Sequence, residues 1–136
     1  MRKIYLSHPV DLISARKLNI KIASLKKFFG EINCEITNSF EKLPNNCSDD
    51  KIAELVNSQV EKIKVCDFLV ADLSIPNFTY VGCIGEIVYA HSFGKKVYAV
   101  VGHTGNENRL WLKFHVSGFF KSFDELRKFL QSTYTE

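Results

Sequence analysis

The chain has 136 residues, 46% of them apolar and 24% charged, and carries a net charge of +3. That length fits one domain with its own core and leaves little room for two, and the composition excludes a disordered chain. Charges of both signs are mixed along the sequence without a basic stripe or an arginine-rich run, which argues against a nucleic-acid polymer as partner.

No stretch approaches membrane-spanning length, and the apolar run at the start is too short for a signal peptide, so no membrane partner is expected. The cysteines, at 34, 47, 66 and 83, form no Cys-x-x-Cys pair and meet no histidine at zinc spacing. Cys34, Cys66 and Cys83 stand in apolar company and read as buried thiols, which predicts a reducing, cytoplasmic setting and no bound metal.

In chain order, residues 3–7 (Lys-Ile-Tyr-Leu-Ser) predict a strand buried on both faces and closed by His8-Pro9. A helix follows over roughly 11–29, with Leu18, Ile22, Leu25 and Phe29 at helical spacing and Gly30 as a stop. Residues 33–37 are a weak second strand, and the polar run 38–50, with Pro44 and Asn45-Asn46, is a surface loop. Ser48 caps a helix near 50–65 whose apolar stripe is Ile52, Leu55, Val56, Val60 and Ile63. Phe68 to Ala71 is the third strand, between Asp67 and Asp72, and a loop with Pro76 leads to a helix from Gly82 to Phe93 stopped by Gly94. Residues 96–101 are the fourth strand, Gly102 to Asn108 a flexible loop, and Phe114 to Phe120 the place of a short last strand. Ser122-Phe-Asp-Glu125 is a capping box opening a final helix with Leu126, Phe129 and Leu130 turned inward.

Strands alternating with helices imply right-handed crossovers and a sheet covered on both faces. The expected fold is therefore α/β: a single-domain, flavodoxin-like or Rossmann-like three-layer sandwich spanning 1–136. Its five-stranded sheet is expected to be mostly parallel, in the order 2-1-3-4-5. Ligands of such sheets bind beyond the carboxyl ends of the strands, between strands 1 and 3. The loops expected there are Ser7-His8-Pro9 and the run from Asp72 to Glu86.

Glycines 82 and 85 straddle a helix start, where missing side chains let a ligand approach the backbone. Glu86 falls in the first turn of the expected helix, where the dipole favours an ionised carboxylate suited to act as nucleophile or charge stabiliser. The same position suits a glutamate that satisfies free backbone N–H groups, and spacing alone favours that plainer role. Asp72 ends a strand at the expected crevice, placed either to accept hydrogen bonds from a base and pass it a proton or to cap its own loop. Asp67, at the opposite edge, reads as a solvated or capping residue. Ser7 and His8 follow strand 1, where a sugar or phosphate would meet them, whereas Tyr5 reads as core and His91 as packed on an apolar stripe. Neither Gly-x-Gly-x-x-Gly nor Gly-x-x-x-x-Gly-Lys occurs, and no Gly-x-Ser-x-Gly elbow is present.

Three stretches carry a resemblance: Lys3-Ile-Tyr-Leu-Ser-His-Pro9; Cys66-Asp-Phe-Leu-Val-Ala-Asp-Leu73; and Gly82-Cys-Ile-Gly-Glu-Ile-Val-Tyr-Ala90 followed by Gly94-Lys-Lys-Val-Tyr98. With them the chain resembles the nucleoside 2-deoxyribosyltransferase family over nearly its whole length. The third stretch, with its Gly-x-x-x-Glu helix start, is the specific one. The resemblance implies that Glu86 attacks C1′ of a 2-deoxyribosyl group and that the base leaves. A second base, or water, then collects the sugar from a covalent intermediate. It implies that Asp72 binds or protonates the leaving base, that Ser7, His8 and the Gly82 backbone hold the sugar or a 5′-phosphate, and that Tyr5 also contacts substrate. No cofactor is implied. The implied partners are a nucleoside or nucleotide, a free nucleobase and further copies of the chain, with Phe78, Tyr80, Phe119 and Phe120 as interface or core aromatics.

Transferases often place an acidic residue just before the motif's glycine, where Tyr80 and Val81 stand here; Cys83 replaces a small hydroxyl residue after it. A sister group, the 2′-deoxynucleoside 5′-monophosphate N-glycosidases, uses water as acceptor. Base exchange, hydrolysis and nucleotide sensing without turnover thus stand as three readings. A basic cluster near Ser7 would favour phosphate, and Arg16 and Lys17 are its nearest candidates.

Overall fold

A computed structural model describes residues 1–11 and 13–134. All five strands belong to one sheet: β1 (Arg2–Ser7), β2 (Cys34–Ile36), β3 (Phe68–Asp72), β4 (Lys96–Val100) and β5 (Gly118–Phe120). Their order is β2-β1-β3-β4-β5, and every neighbouring pair is parallel. The α/β order read from the sequence holds, and the sheet is wholly rather than mostly parallel.

Parallel strands need covered crossovers, and the covers sort by face. Ile4, Leu6, Phe68, Val70, Tyr98 and Val100 point to one face. They pack against Leu18, Ile22, Leu25 and Phe29 of α1 (Ala15–Gly30) and Leu126 and Leu130 of α5 (Phe123–Thr133). The alternate residues Tyr5, Leu69, Ala71, Val97 and Ala99 point to the other face. There they meet Ile63 of α2 (Asp49–Val65), Cys83, Ile87 and Ala90 of α3 (Val81–Ser92), and Leu112 of α4 (Leu110–His115).

Three helices start as side-chain chemistry dictates. Ser14, Ser48 and Ser122 accept hydrogen bonds from the backbone N–H groups of Lys17, Lys51 and Glu125. The Ser14 cap moves the start of α1 inward from the expected residue 11 to Ala15. The run 102–108 closes in a 3-10 turn at Asn106–Asn108, and α4 follows over a stretch the sequence left unassigned and into the start of the expected strand. β5 accordingly shrinks to Gly118–Phe120. His91, expected to be packed, is exposed and lies edge-on to His115 and tilted against Phe114 of α4.

The largest surprise is α2. Of its expected inward stripe only Ile63 is buried, while Ile52 and Val56 are 44% and 47% exposed. Leu55, Val56, Val60 and Ile63 face a hollow instead of a packed layer. Among the described residues, no helix is long and apolar enough to cross a membrane.

Candidate active site

Strand alternation assembles the site. Tyr5 and Ser7 leave β1 on the face covered by α2 and α3, and both reach the carboxylate of Glu86 on α3. Ser7 donates from Oγ to Glu86 Oε1 at 2.8 Å, and the Tyr5 hydroxyl donates to Oε2. The Tyr5 hydroxyl also lies 3.2 Å from Gln59 Oε1 on α2.

Glu86 stands in the second turn of α3, and no acidic residue occupies the first turn. The expected support from free N–H groups and the helix dipole is therefore not what governs it. Burial pushes its pKa up, and the hydrogen bonds from Tyr5 and Ser7 pull it back only in part. Burial and the neighbouring Glu86 charge likewise push the Tyr5 hydroxyl far above the usual phenol range, so it remains a donor.

Tyr5, Gln59 and Glu86 line a cavity of about 320 Å³ between the carboxyl end of β1, α2 and the start of α3, and Ser7 holds Glu86 from outside its wall. Its walls are mainly apolar, with Phe40, Leu55, Val56, Phe78 and Tyr89 among them. Gly82 and Gly85 complete one side. A Cβ added at either would meet nothing within 4 Å, so the backbone there is open to a bound molecule. Tyr80 enters α3 in the left-handed region, at φ 56°, and its hydroxyl donates to the Ile75 carbonyl. That bond fixes the loop ahead of the helix.

Asp72 takes a different place from the one expected. It shares the parity of Phe68 and Val70, so its side chain leaves β3 on the α1 face, opposite Glu86, and it does not line the cavity. It is fully buried. Lys21 Nζ of α1 lies 2.6 Å from Oδ2, and His8 Nε2 lies 3.3 Å from the same oxygen, off the line of a hydrogen bond. The backbone N–H and hydroxyl of Ser74 donate to Oδ1 at 3.0 and 2.5 Å. Burial alone would raise its pKa, but the contacts from His8, Lys21 and Ser74 outweigh burial and hold the carboxyl well below the usual range. Around neutral pH such a group is held as an anion. It has no proton to give a leaving base.

His8 links the two sides. It is buried, borders the cavity, and its Nδ1 lies 2.7 Å from the Pro9 carbonyl, which can only accept, so Nδ1 carries a proton. The structure thus brings Tyr5, Ser7, Gly82 and Glu86 together, with His8 at the rim and Asp72 behind it.

Sequence reading missed Lys21, Asn38 and Gln59. Lys21 stands on the edge of the α1 stripe, next to Ile22 and one turn after Leu18, and a lysine there is a legible sign of a buried anion. Asn38 had no such sign. Its amide accepts from the Leu6 N–H and donates to the Leu6 carbonyl, both at 2.9 Å, continuing the β1 ladder past the end of β2. Among the described residues, no group of three His, Cys, Asp or Glu is arranged to hold a metal ion.

No protein-family model matches the sequence, and no curated protein does. Solved structures do match. A CMP N-glycosidase from Clostridium botulinum is 21% identical with a TM-score of 0.59, over 96% of this chain and 98% of that one. A 2-deoxyribosyltransferase from Bacillus psychrosaccharolyticus is 18% identical with a TM-score of 0.68, over 92% of this chain and 90% of that one. A conserved protein from Enterococcus faecalis V583 is 17% identical with a TM-score of 0.65, over 97% of this chain and 98% of that one. The likeness establishes a shared fold along almost the full length of each.

Proposed function

We propose that the chain is a member of the nucleoside 2-deoxyribosyltransferase family that transfers the sugar of a 2′-deoxynucleoside between bases, through a covalent intermediate on Glu86. The observation that carries this reading is one carboxylate, held by Tyr5 and Ser7 at the inner end of an apolar hollow of about 320 Å³. Two of the structural neighbours reported above are described as a 2-deoxyribosyltransferase and a CMP N-glycosidase, which supports the same class of bond.

Glu86 attacks C1′ as the C1′–N bond breaks, and the bonding electrons leave with the base. The desolvation that raises its pKa also leaves the anion poorly hydrated and therefore reactive. Tyr5 and Ser7 fix both oxygens beneath the ring, which saves the entropy of orienting a free glutamate. The positive charge that develops on the sugar is stabilised by the same carboxylate. In the second step an incoming base attacks C1′ and the Glu86–C1′ bond breaks. The aromatic walls at Phe40, Phe78 and Tyr89 suit the flat faces of leaving and entering bases. Asp72 acts at a distance, fixing the position of His8 and Lys21.

The test is to incubate the protein with deoxynucleosides, with and without a second free base, and to resolve the products. Base exchange, together with a mass gain of one deoxyribosyl group on a Glu86 peptide, is expected. Free sugar in place of exchange would make the chain a hydrolase using the same nucleophile. Binding without turnover would refute the proposal.

A further inference from the structure

The hydroxyl of Tyr5 carries one proton and stands between two acceptors. One is Glu86 Oε2; the other is Gln59 Oε1 on α2, at 3.2 Å. The Gln59 amide cannot be reversed, because its nitrogen donates to the Ser39 carbonyl at 3.1 Å and a carbonyl only accepts. Its oxygen is therefore fixed toward Tyr5. While Glu86 is ionised, the charged oxygen takes the single proton, and Gln59 Oε1 receives none from Tyr5.

The two oxygens of Glu86 also differ in their surroundings. Ser7, which holds Oε1, is fully buried and outside the cavity wall. Tyr5, which holds Oε2, lines the cavity, as Gln59 does. Oε2 is thus the oxygen on the side from which a sugar would arrive. Tyr5 is itself fully buried, so a hydroxyl that lost its acceptor there would not be repaired cheaply by solvent.

We propose that Oε2 is the attacking oxygen and that Gln59 is a positioning residue, the acceptor to which the Tyr5 hydroxyl turns once Oε2 is bonded to C1′. The chemistry rests on the glycosidic reading. As the Oε2–C1′ bond forms and the C1′–N bond breaks, the carboxylate loses its charge and Oε2 becomes an ester oxygen, a poor acceptor. The hydroxyl then rotates about its Cζ–O bond and donates to Gln59 Oε1. No proton is transferred, and the buried donor keeps a partner in both states. When the incoming base takes the sugar, the charge returns to Oε2 and the hydroxyl turns back.

The test is a double-variant cycle on the whole protein, Gln59→Met with Tyr5→Phe. It is read by the rate of base release in a single turnover of a deoxynucleoside and by the share of protein carrying a deoxyribosyl group on Glu86. Gln59→Met alone is expected to slow base release about tenfold and to lower that share. In the Tyr5→Phe background, which has no hydroxyl to receive, the same change should cost less than about twofold. A merely structural Gln59 would cost the same in both backgrounds; that result, or an unslowed Gln59→Met protein, overturns the proposal. A second cycle needs no turnover. In Glu86→Ala, Tyr5 keeps Gln59 as its acceptor, so Gln59→Met should lower the unfolding midpoint further there than in the parent protein, while the Ser39 bond is lost equally in both. That excess without any turnover keeps the Tyr5 switch and overturns the glycosidic reading. Base exchange without the excess overturns the role of Gln59 and leaves the glycosidic reading standing.

Discussion

At the carboxyl edge of the sheet, two acids sit on opposite faces and live under opposite rules. On the α3 face, Glu86 borders a hollow, is held by two hydroxyls and no cation, and has its pKa raised by burial. On the α1 face, Asp72 is sealed with Lys21, His8 and Ser74 and is held anionic. Both are buried away from water to a large degree. The difference is that one environment supplies positive charge and four contacts to a carboxylate, and the other supplies space for a ligand. A raised acid in a cavity is a reactive arrangement; a lowered acid in a closed cage is a structural one.

The sharpest break of that contrast is at Glu86. Under the proposed mechanism, Glu86→Ala is expected to reduce turnover by about 10³-fold or more through loss of the nucleophile. The fold should survive, as checked by circular dichroism and the unfolding midpoint. Glu86→Gln should raise the melting temperature at neutral pH, because the folded state no longer carries a desolvated charge.

Asp72→Asn should do the opposite, costing roughly 2–4 kcal/mol in urea unfolding, because Lys21 and His8 lose their buried partner. The lower bound allows for Lys21, whose side chain is 38% exposed. The folded-state pKa of Asp72 is depressed, so its stabilisation is complete above the unfolded-state value near about 4 and is lost as pH falls towards the folded one. The variant should lack that acid-side loss. An Asp72→Asn protein of native stability but no activity would erase the distinction between the two acids.

Tyr5→Phe keeps the buried ring and removes one donor to Glu86. A fall in kcat of about tenfold is expected. Since the Tyr5 bond lowers the Glu86 pKa, its loss should move the acid limb of the pH–rate profile to higher pH. Lys21→Met is expected to have the smallest effect, about 1 kcal/mol in unfolding, with Asp72 still held by Ser74 and His8.

Much of the fold was legible because its signals are periodic. Short apolar runs separated by helical stripes dictate parallel strands, and Ser48 and Ser122 mark helix starts with a definite hydrogen bond. The separation of Asp72 from Glu86 was also present in the sequence: Phe68, Val70 and Asp72 share one parity, and Tyr5 and Ser7 leave β1 towards α3. Reading Asp72 as a strand end facing a crevice overlooked that period. The stripe of α2 misled for another reason, since apolar residues at helical spacing look the same whether they meet a core or line a hollow. Helix α4 escaped notice because it is six residues long, lacks a side-chain cap and leaves Leu110, Trp111 and Phe114 outward.

The two outermost strands, β2 and β5, are each three residues long. On the β2 side, Asn38 takes over where the ladder would otherwise run on. A border that short offers few unpaired peptide groups to a neighbouring chain, and it protects the molecule against edge-to-edge growth into extended aggregates. The exposed large apolar side chains lie instead on helical surface, where α4 presents an indole and a phenyl ring to solvent.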